Sequence, residues 1–313
     1  MMARAFAALA RGGAEMPIRQ ILWLPEKTGA LGLMPAHLTG LAAVGLKAVT
    51  FFPRNEGTDI DSHQGAVLLF ESGRGRLLAV IDATSVTAVR TAAVSGLATR
   101  LLAVEDAGDL AIVGSGVQAR THLEAMRAVR PIRRVRVASK TPDRARSFAG
   151  RESQRHEIEI TPCASVQEAV EGADIVCTVT SSREPVVRGE WLKDGAHVNA
   201  VGSSVATARE VDTAAVVRSR LFVDHRASAL LEAGDFLIPR SEGAVTDAHI
   251  RGDLGEVLVG VVPGRTSPSD LTLFKSVGLA IEDVAAAQQI YSKARGSGLG
   301  QFVEFGGSRH DAD

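Results

Sequence analysis

Residues 109–141 read DLAIVGSGVQARTHLEAMRAVRPIRRVRVASKT. The apolar run at 110–113 reads as a buried strand and leads straight into Gly114-Ser115-Gly116-Val117-Gln118-Ala119, a G-x-G-x-x-A turn. Residues 121–129 then place Leu123, Met126 and Val129 at helical spacing, and 134–138 read as a second strand. Strand, glycine turn, helix and strand together form the unit that binds a dinucleotide. Gly114 takes a tight turn that a side chain would block. Gly116 lets the main chain approach a pyrophosphate, and the small Ala119 lets the helix pack close to the strand. The first amides of that helix then point at phosphate, aided by the helix dipole. Ser115, Val117 and Gln118 complete the candidate cofactor contacts in the turn. An ordinary strand–helix turn is the alternative, and the flanking strand and helix favour the cofactor.

The end of the second strand bears on which dinucleotide is bound. An NAD site usually carries Asp or Glu there for the ribose 2′-hydroxyl. Here the residues are Ala138-Ser139-Lys140-Thr141. A cation flanked by the hydroxyls of Ser139 and Thr141 suits a 2′-phosphate, so NADP(H) is favoured and NAD(H) stays open. On the alternative reading Lys140 is a solvated strand end and Asp143 reaches the ribose.

At 313 residues the chain has material for two domains with sizeable cores. Hydrophobic residues make up 45% and aromatics only 4%, the balance of an Ala/Val/Leu-rich α/β enzyme rather than a β-sandwich. A formal net charge of −1 recommends neither a nucleic-acid nor a membrane partner. The arginines between Arg127 and Arg136 read as a solvated helix end and strand start. Cys163 and Cys177 give no disulfide framework, which points to a reducing compartment. No run approaches the length of a bilayer span, and no signal peptide is evident at the front, so a cytoplasmic location is expected.

Before residue 106 the pattern is different. Residues 1–9 read as a helix, and 19–24, 47–52, 66–70 and 77–81 as strands, the last two joined as a hairpin through ESGRG at 71–75. This part is mostly antiparallel β. Residues 85–104 read as a long alanine-rich helix. Further on, 158–162, 173–180, 196–201 and 221–224 read as strands alternating with helices, the pattern of a parallel doubly wound sheet. Residues 254–261 read as a helical patch and 271–294 as one long helical segment.

Two cations stand in apolar surroundings. Lys47 starts a hydrophobic strand, and Arg90 lies in the small-residue helix TAVRTAA at 87–93. Burying a lone cation is costly, so each wants an anion. A substrate carboxylate would serve, with Arg able to bind it through two nitrogens. A structural salt bridge to Asp61, Asp82 or Glu71 is the alternative.

At these residues the chain resembles the ornithine cyclodeaminase/mu-crystallin family. The matching pieces are PIR (17–19), GLKAV (45–49), SHQGAVLL (62–69), DATSVTAVRTAAVSGLAT (82–99), GSGVQA (114–119), VNAVGS (198–203), REVD (209–212), FVDHR (222–226), PGR (263–265) and TLFKSVGLAIEDVAAA (272–287). The resemblance implies an α/β fold in which a Rossmann doubly wound sheet, residues 106–285, is inserted into a β-rich substrate-binding and dimerisation domain, residues 1–105 plus 286–313. It implies that Arg19, Lys47 and Arg90 hold the α-carboxylate of an amino or imino acid, with Ser204 and Val277 as further substrate contacts. Ser62, Gln118, Thr180, Asn199, Ala200, Val201 and Ser276 fall where the family contacts its cofactor. Asn199 as a strand-end cap and Ser276 as a helix N-cap are the alternatives. A homodimer is implied, as are a further strand and helix ahead of the position of Met1.

One departure is informative. Cyclodeaminases of the family carry an Asp in a G-D-x-P-G-K run, where it activates water. Here the run is Gly202-Ser203-Ser204-Val205-Ala206-Thr207-Ala208-Arg209, with Ser204 at the aspartate position and the proline, glycine and lysine gone, and an unassisted serine is a poor base near neutral pH. The resemblance therefore points to the family's NAD(P)H-dependent ketimine reductases, acting on Δ1-pyrroline-2-carboxylate or Δ1-piperideine-2-carboxylate. Lys47 and Arg90 would fix the carboxylate for hydride transfer, with His63 or a water held by Ser204 as possible sources of the proton. Ornithine cyclodeaminase, alanine dehydrogenase and a mu-crystallin-like small-ligand binding protein remain the other readings.

Overall fold

The computed structural model describes residues 1–55 and 58–305. The chain divides into two compact units, one of Met1–Arg90 with the segment from Leu279 onward, the other of Thr91–Gly278. The changeovers fall at 90/91, inside a helix, and at 278/279, where 105/106 and 285/286 were expected.

The first unit is antiparallel. Helix α1 (Met2–Ala10) precedes strands β1 (Ala14–Glu15), β2 (Gln20–Trp23), β3 (Ala30–Leu38), β4 (Ala43–Phe51), β5 (His63–Glu71) and β6 (Leu77–Asp82), and the chain continues as helix α2 (Ala83–Leu102). The sheet runs β1-β3-β4-β5-β6, and β2 also pairs with β3. Period-2 alternation sends one face inward: Met34, Ala36 and Leu38 from β3, Ala43, Gly45 and Lys47 from β4, Val67 and Leu69 from β5. The helix at Ala280–Ser297, the tenth in the chain, packs on β3, β4 and β5. Gly45 permits that approach, since a Cβ there would sit 2.7 Å from Val284 Cγ2.

The second unit is parallel. Its strands are β7 (Asp109–Val113), β8 (Arg134–Ala138), β9 (Ile160–Pro162), β10 (Ile175–Thr178), β11 (His197–Ala200), β12 (Arg220–Val223), β13 (Ile250–Asp253) and β14 (Thr272–Lys275). Helices α3 (Val117–Val129), α4 (Pro142–His156), α5 (Val166–Val170), α6 (Thr213–Arg218), α7 (Arg226–Glu232), α8 (Gly234–Ser241) and α9 (Leu254–Leu258) intervene; the Ala280–Ser297 helix is α10. The order is β13-β12-β14-β11-β10-β7-β8-β9, every pairing parallel. The chain runs outward from β7 to β9, then returns to place β10 on the other side of β7. The carboxyl ends of β7 and β10 therefore flank a topological switch point, the usual seat of a ligand in such sheets.

Two expectations are corrected. Residues 271–294 are not one helix: β14 lies between β11 and β12 in the sheet interior, and α10 starts only at Ala280. All four β14 residues are buried, so the run has no alternation to separate strand from helix. Nor are all the arginines at 127–136 given over to solvent, although Arg127, Arg133 and Arg134 are exposed. Arg130 donates to the carbonyls of Thr99, Arg100, Ala103 and Val104, closing the end of α2. Arg134 and Arg136 pair with Asp109. Cys163 and Cys177 are free and buried. Among the described residues no helix is long and apolar enough to cross a membrane, and no grouping of His, Cys, Asp and Glu fits a metal ion.

Candidate active site

In the second unit, β7 is followed by Gly114, whose φ of +122° is open to glycine alone; a Cβ there would also lie 2.7 Å from the carbonyl oxygen of Val179, just past β10. Gly116 caps α3, and a Cβ built on it meets nothing within 4 Å, leaving open space beside the helix amides. Ala119 is fully buried against the strand. Val117 is exposed, and Gln118 Oε1 is buried without a hydrogen-bond partner among the described residues. Ser115 Oγ donates to Ser139 Oγ at 3.1 Å, linking the ends of β7 and β8. Lys140 is exposed and Thr141 caps α4 without a side-chain cap bond. Asp143 pairs with Arg146 in the first turn of α4. The open glycine cradle and the Gln118 side-chain oxygen, without a partner among the described residues, fit a dinucleotide.

The loops beyond β10 and β11 converge on Glu210, which is fully buried. Its carboxylate accepts from Thr180 N at 2.6 Å, Gly202 N at 2.6 Å, and the hydroxyls of Thr178 and Thr180 at 2.7 Å each. Burial, then the charge of Asp235, pushes its pKa above the usual carboxylate range. Asp235 pairs with Lys275 at 2.8 Å, and Lys275 Nζ donates to the carbonyls of Ala200 and Ser203. Asn199 points into the packing, donating to Thr99 Oγ1 at 2.9 Å, while its Oδ1 has no partner among the described residues. Asp224 gathers the amides of Val277 and Gly278, with Ser276 Oγ 3.5 Å away. Val201 N bonds Thr178 O. Ser204 lies half-buried in the loop after β11.

In the first unit Lys47 and Arg90 are 3% and 6% exposed, and both are paired. The partners are Glu282 and Asp283, not Asp61, Asp82 or Glu71. Lys47 Nζ lies 2.8 Å from Asp283 Oδ2 and 3.4 Å from Thr87 Oγ1. Arg90 Nε lies 3.1 Å from Asp283 Oδ1, and Arg90 Nη1 bonds Glu282 Oε2. Both acids are fully buried in the first turn of α10, where the helix dipole favours anions. Burial pushes the Lys47 pKa down from 10.5 to about 8, with Asp283 opposing and Arg90 adding to the shift. Asp82 instead caps α2, accepting from Ser85 N, and Glu71 faces Arg76. Arg19 lies half-buried just ahead of β2, and Ser62 Oγ sits 3.2 Å from His63 Nδ1. Burial lowers the His63 pKa, which weakens its case as a proton donor.

Sequence reasoning passed over Glu282, Asp283, Glu210, Asp235 and Lys275. For the first two there was a signal: adjacent acids inside the apolar run VGLAIEDVAAA need buried cations.

A profile of the ornithine cyclodeaminase/mu-crystallin family matches residues 1–298. The chain belongs to that family. Over 280 residues it is 41% identical to ketimine reductase mu-crystallin of Mus musculus, covering 90% of this chain and 85% of the relative. The solved Δ1-pyrroline-2-carboxylate reductase of Thermococcus litoralis, in complex with NADH and L-proline, superposes with a TM-score of 0.93 at 40% identity, covering 96% of this chain and 93% of the other. An archaeal alanine dehydrogenase dimer with bound NAD superposes with a TM-score of 0.91 at 33% identity, covering 97% and 92%.

Proposed function

We propose that the chain reduces a cyclic ketimine carboxylate, Δ1-pyrroline-2-carboxylate or Δ1-piperideine-2-carboxylate, to the cyclic L-amino acid. The observation that carries this reading is the near full-length likeness to a ketimine reductase and to a pyrroline-2-carboxylate reductase solved with NADH and L-proline. Lys47 and Arg90, with Arg19, hold the substrate carboxylate. The Lys47 ammonium has three N–H donors; Thr87 takes one and Asp283 balances the charge from 2.8 Å, which among the described residues leaves donor capacity for a ligand. Fixing the carboxylate fixes the imine carbon, and such orientation is a large part of catalysis. The nicotinamide cofactor, when bound, supplies hydride to that carbon. The imine nitrogen arrives protonated from solution, so no side chain need act as the acid. In this reading the first unit binds substrate and the second binds cofactor.

The seat of the cofactor in the second unit is the Gly114–Gln118 turn with Thr180, Ala200, Val201 and Ser276. Lys140 between Ser139 and Thr141 favours NADP(H), and Asp143, turned to Arg146, leaves the ribose position without an acid. Ser204 argues against cyclodeamination, because the nearby acids Glu210 and Asp235 are buried and already bonded. The chain is further read as a homodimer through its antiparallel sheet, where β2 leaves Ile21, Leu22 and Trp23 exposed. Amino-acid dehydrogenation is the second reading, favoured by the likeness to alanine dehydrogenase. Cofactor oxidation with Δ1-pyrroline-2-carboxylate, beside pyruvate plus ammonia, separates the two. Turnover of pyruvate alone, or ammonia release from ornithine without net cofactor change, would reject the reductase.

A further inference from the structure

The substrate cations are two like charges held side by side in a buried place, an arrangement that repels itself unless something fixes it. Asp283 meets both: Oδ2 lies 2.8 Å from Lys47 Nζ and Oδ1 lies 3.1 Å from Arg90 Nε. Three features bring it there. Lys47 shares the inward face of β4 with Gly45, two residues back. Gly45 lets α10 approach until Val284 would touch a Cβ. Asp283, the residue before Val284, then reaches Lys47, while Glu282 takes Arg90 Nη1.

We propose that Asp283 is the positioning residue of the substrate clamp, its two carboxylate oxygens setting the spacing and orientation of Lys47 and Arg90 for the incoming carboxylate. This rests on the clamp reading above. Asp283 does not touch substrate; it acts through the two cations. Its length matters, because a longer side chain would keep the charge and shift both contacts. Its charge matters as well. The charged or titratable groups around Lys47 are Asp283 and Glu282 from α10, Arg90 from α2 and His63 from β5. Of these Asp283 does most to keep the ammonium protonated against burial and Arg90.

The test is calorimetric titration of the full chain with pyrrole-2-carboxylate, a flat carboxylate probe, across pH. In the wild type, affinity falls by up to about tenfold per pH unit above about pH 8, as Lys47 deprotonates. In Asp283→Asn the fall begins about one pH unit lower, and neutral-pH affinity drops about tenfold. Asp283→Glu keeps the fall near its wild-type position and loses affinity at every pH. Wild-type affinity and pH profile in Asp283→Asn, with binding abolished in Lys47→Ala, overturn the positioning role and leave the clamp standing. Undiminished binding in Lys47→Ala overturns the clamp itself. Should Asp283→Asn fail to fold, Asp283→Glu decides: wild-type affinity there refutes the role.

Discussion

Glu210→Ala removes the one carboxylate on which the loops after β10 and β11 converge. Two backbone amides, Thr180 N and Gly202 N, lose partners 2.6 Å away. A buried donor left unsatisfied costs about 1–3 kcal/mol, so the pair costs about 2–6 kcal/mol. The hydroxyls of Thr178 and Thr180 rotate and recover part of their loss. Against a typical domain stability of about 5–15 kcal/mol this is a large fraction. Glu210→Gln keeps an acceptor for one amide and is relieved of repulsion from Asp235, so its cost is about 1–3 kcal/mol. Both loops lie at the carboxyl ends of strands beside the switch point, so slackening them also weakens the cofactor, by about tenfold in Kd or about 1.4 kcal/mol. Denaturant unfolding and quenching of intrinsic fluorescence by NADPH read the two effects. Stability of Glu210→Ala within about 1 kcal/mol of wild type, together with unchanged cofactor affinity, would refute the reasoning.

Gly114→Ala forces a side chain to φ +122° and against Val179 O; it destabilises the second unit by about 1–3 kcal/mol and abolishes detectable cofactor fluorescence changes. Lys140→Glu raises the Kd for NADPH about tenfold or more and leaves NADH within about threefold, measured by the same titration. The Lys47 pKa is lowered on folding from 10.5 to about 8, so between those values the unfolded chain binds more protons and this group's contribution to stability rises with pH. The gain is of order 3 kcal/mol, seen as the pH dependence of the wild-type minus Lys47→Met difference in unfolding free energy. A flat difference across that window contradicts the burial of a charged lysine.

The parallel half was legible because its local signals agree: an apolar run, a glycine turn and a helix of regular spacing meet at Gly114. β14 was not, since a strand covered on both faces carries no period, and the one break before α10, Gly278 at φ +80°, was passed over. Lys47 and Arg90 stood out as charges in apolar sequence, but their partners lie 192 positions or more beyond them in the chain, and no spacing rule reaches that far. The local candidates Asp82 and Glu71 lost because the backbone of α2 and the hairpin claim them first. Arg130 was misread because a side chain capping another helix depends on tertiary placement.

The most direct test compares cyclic imines with and without the carboxylate, Δ1-pyrroline-2-carboxylate against Δ1-pyrroline, in wild type and Lys47→Ala. A buried cation pair that orients the substrate predicts a kcat/KM preference of at least about a hundredfold for the carboxylated imine, erased in Lys47→Ala while NADPH affinity is unchanged. Equal turnover of both imines by the wild type, or a preference that survives Lys47→Ala, would contradict the account.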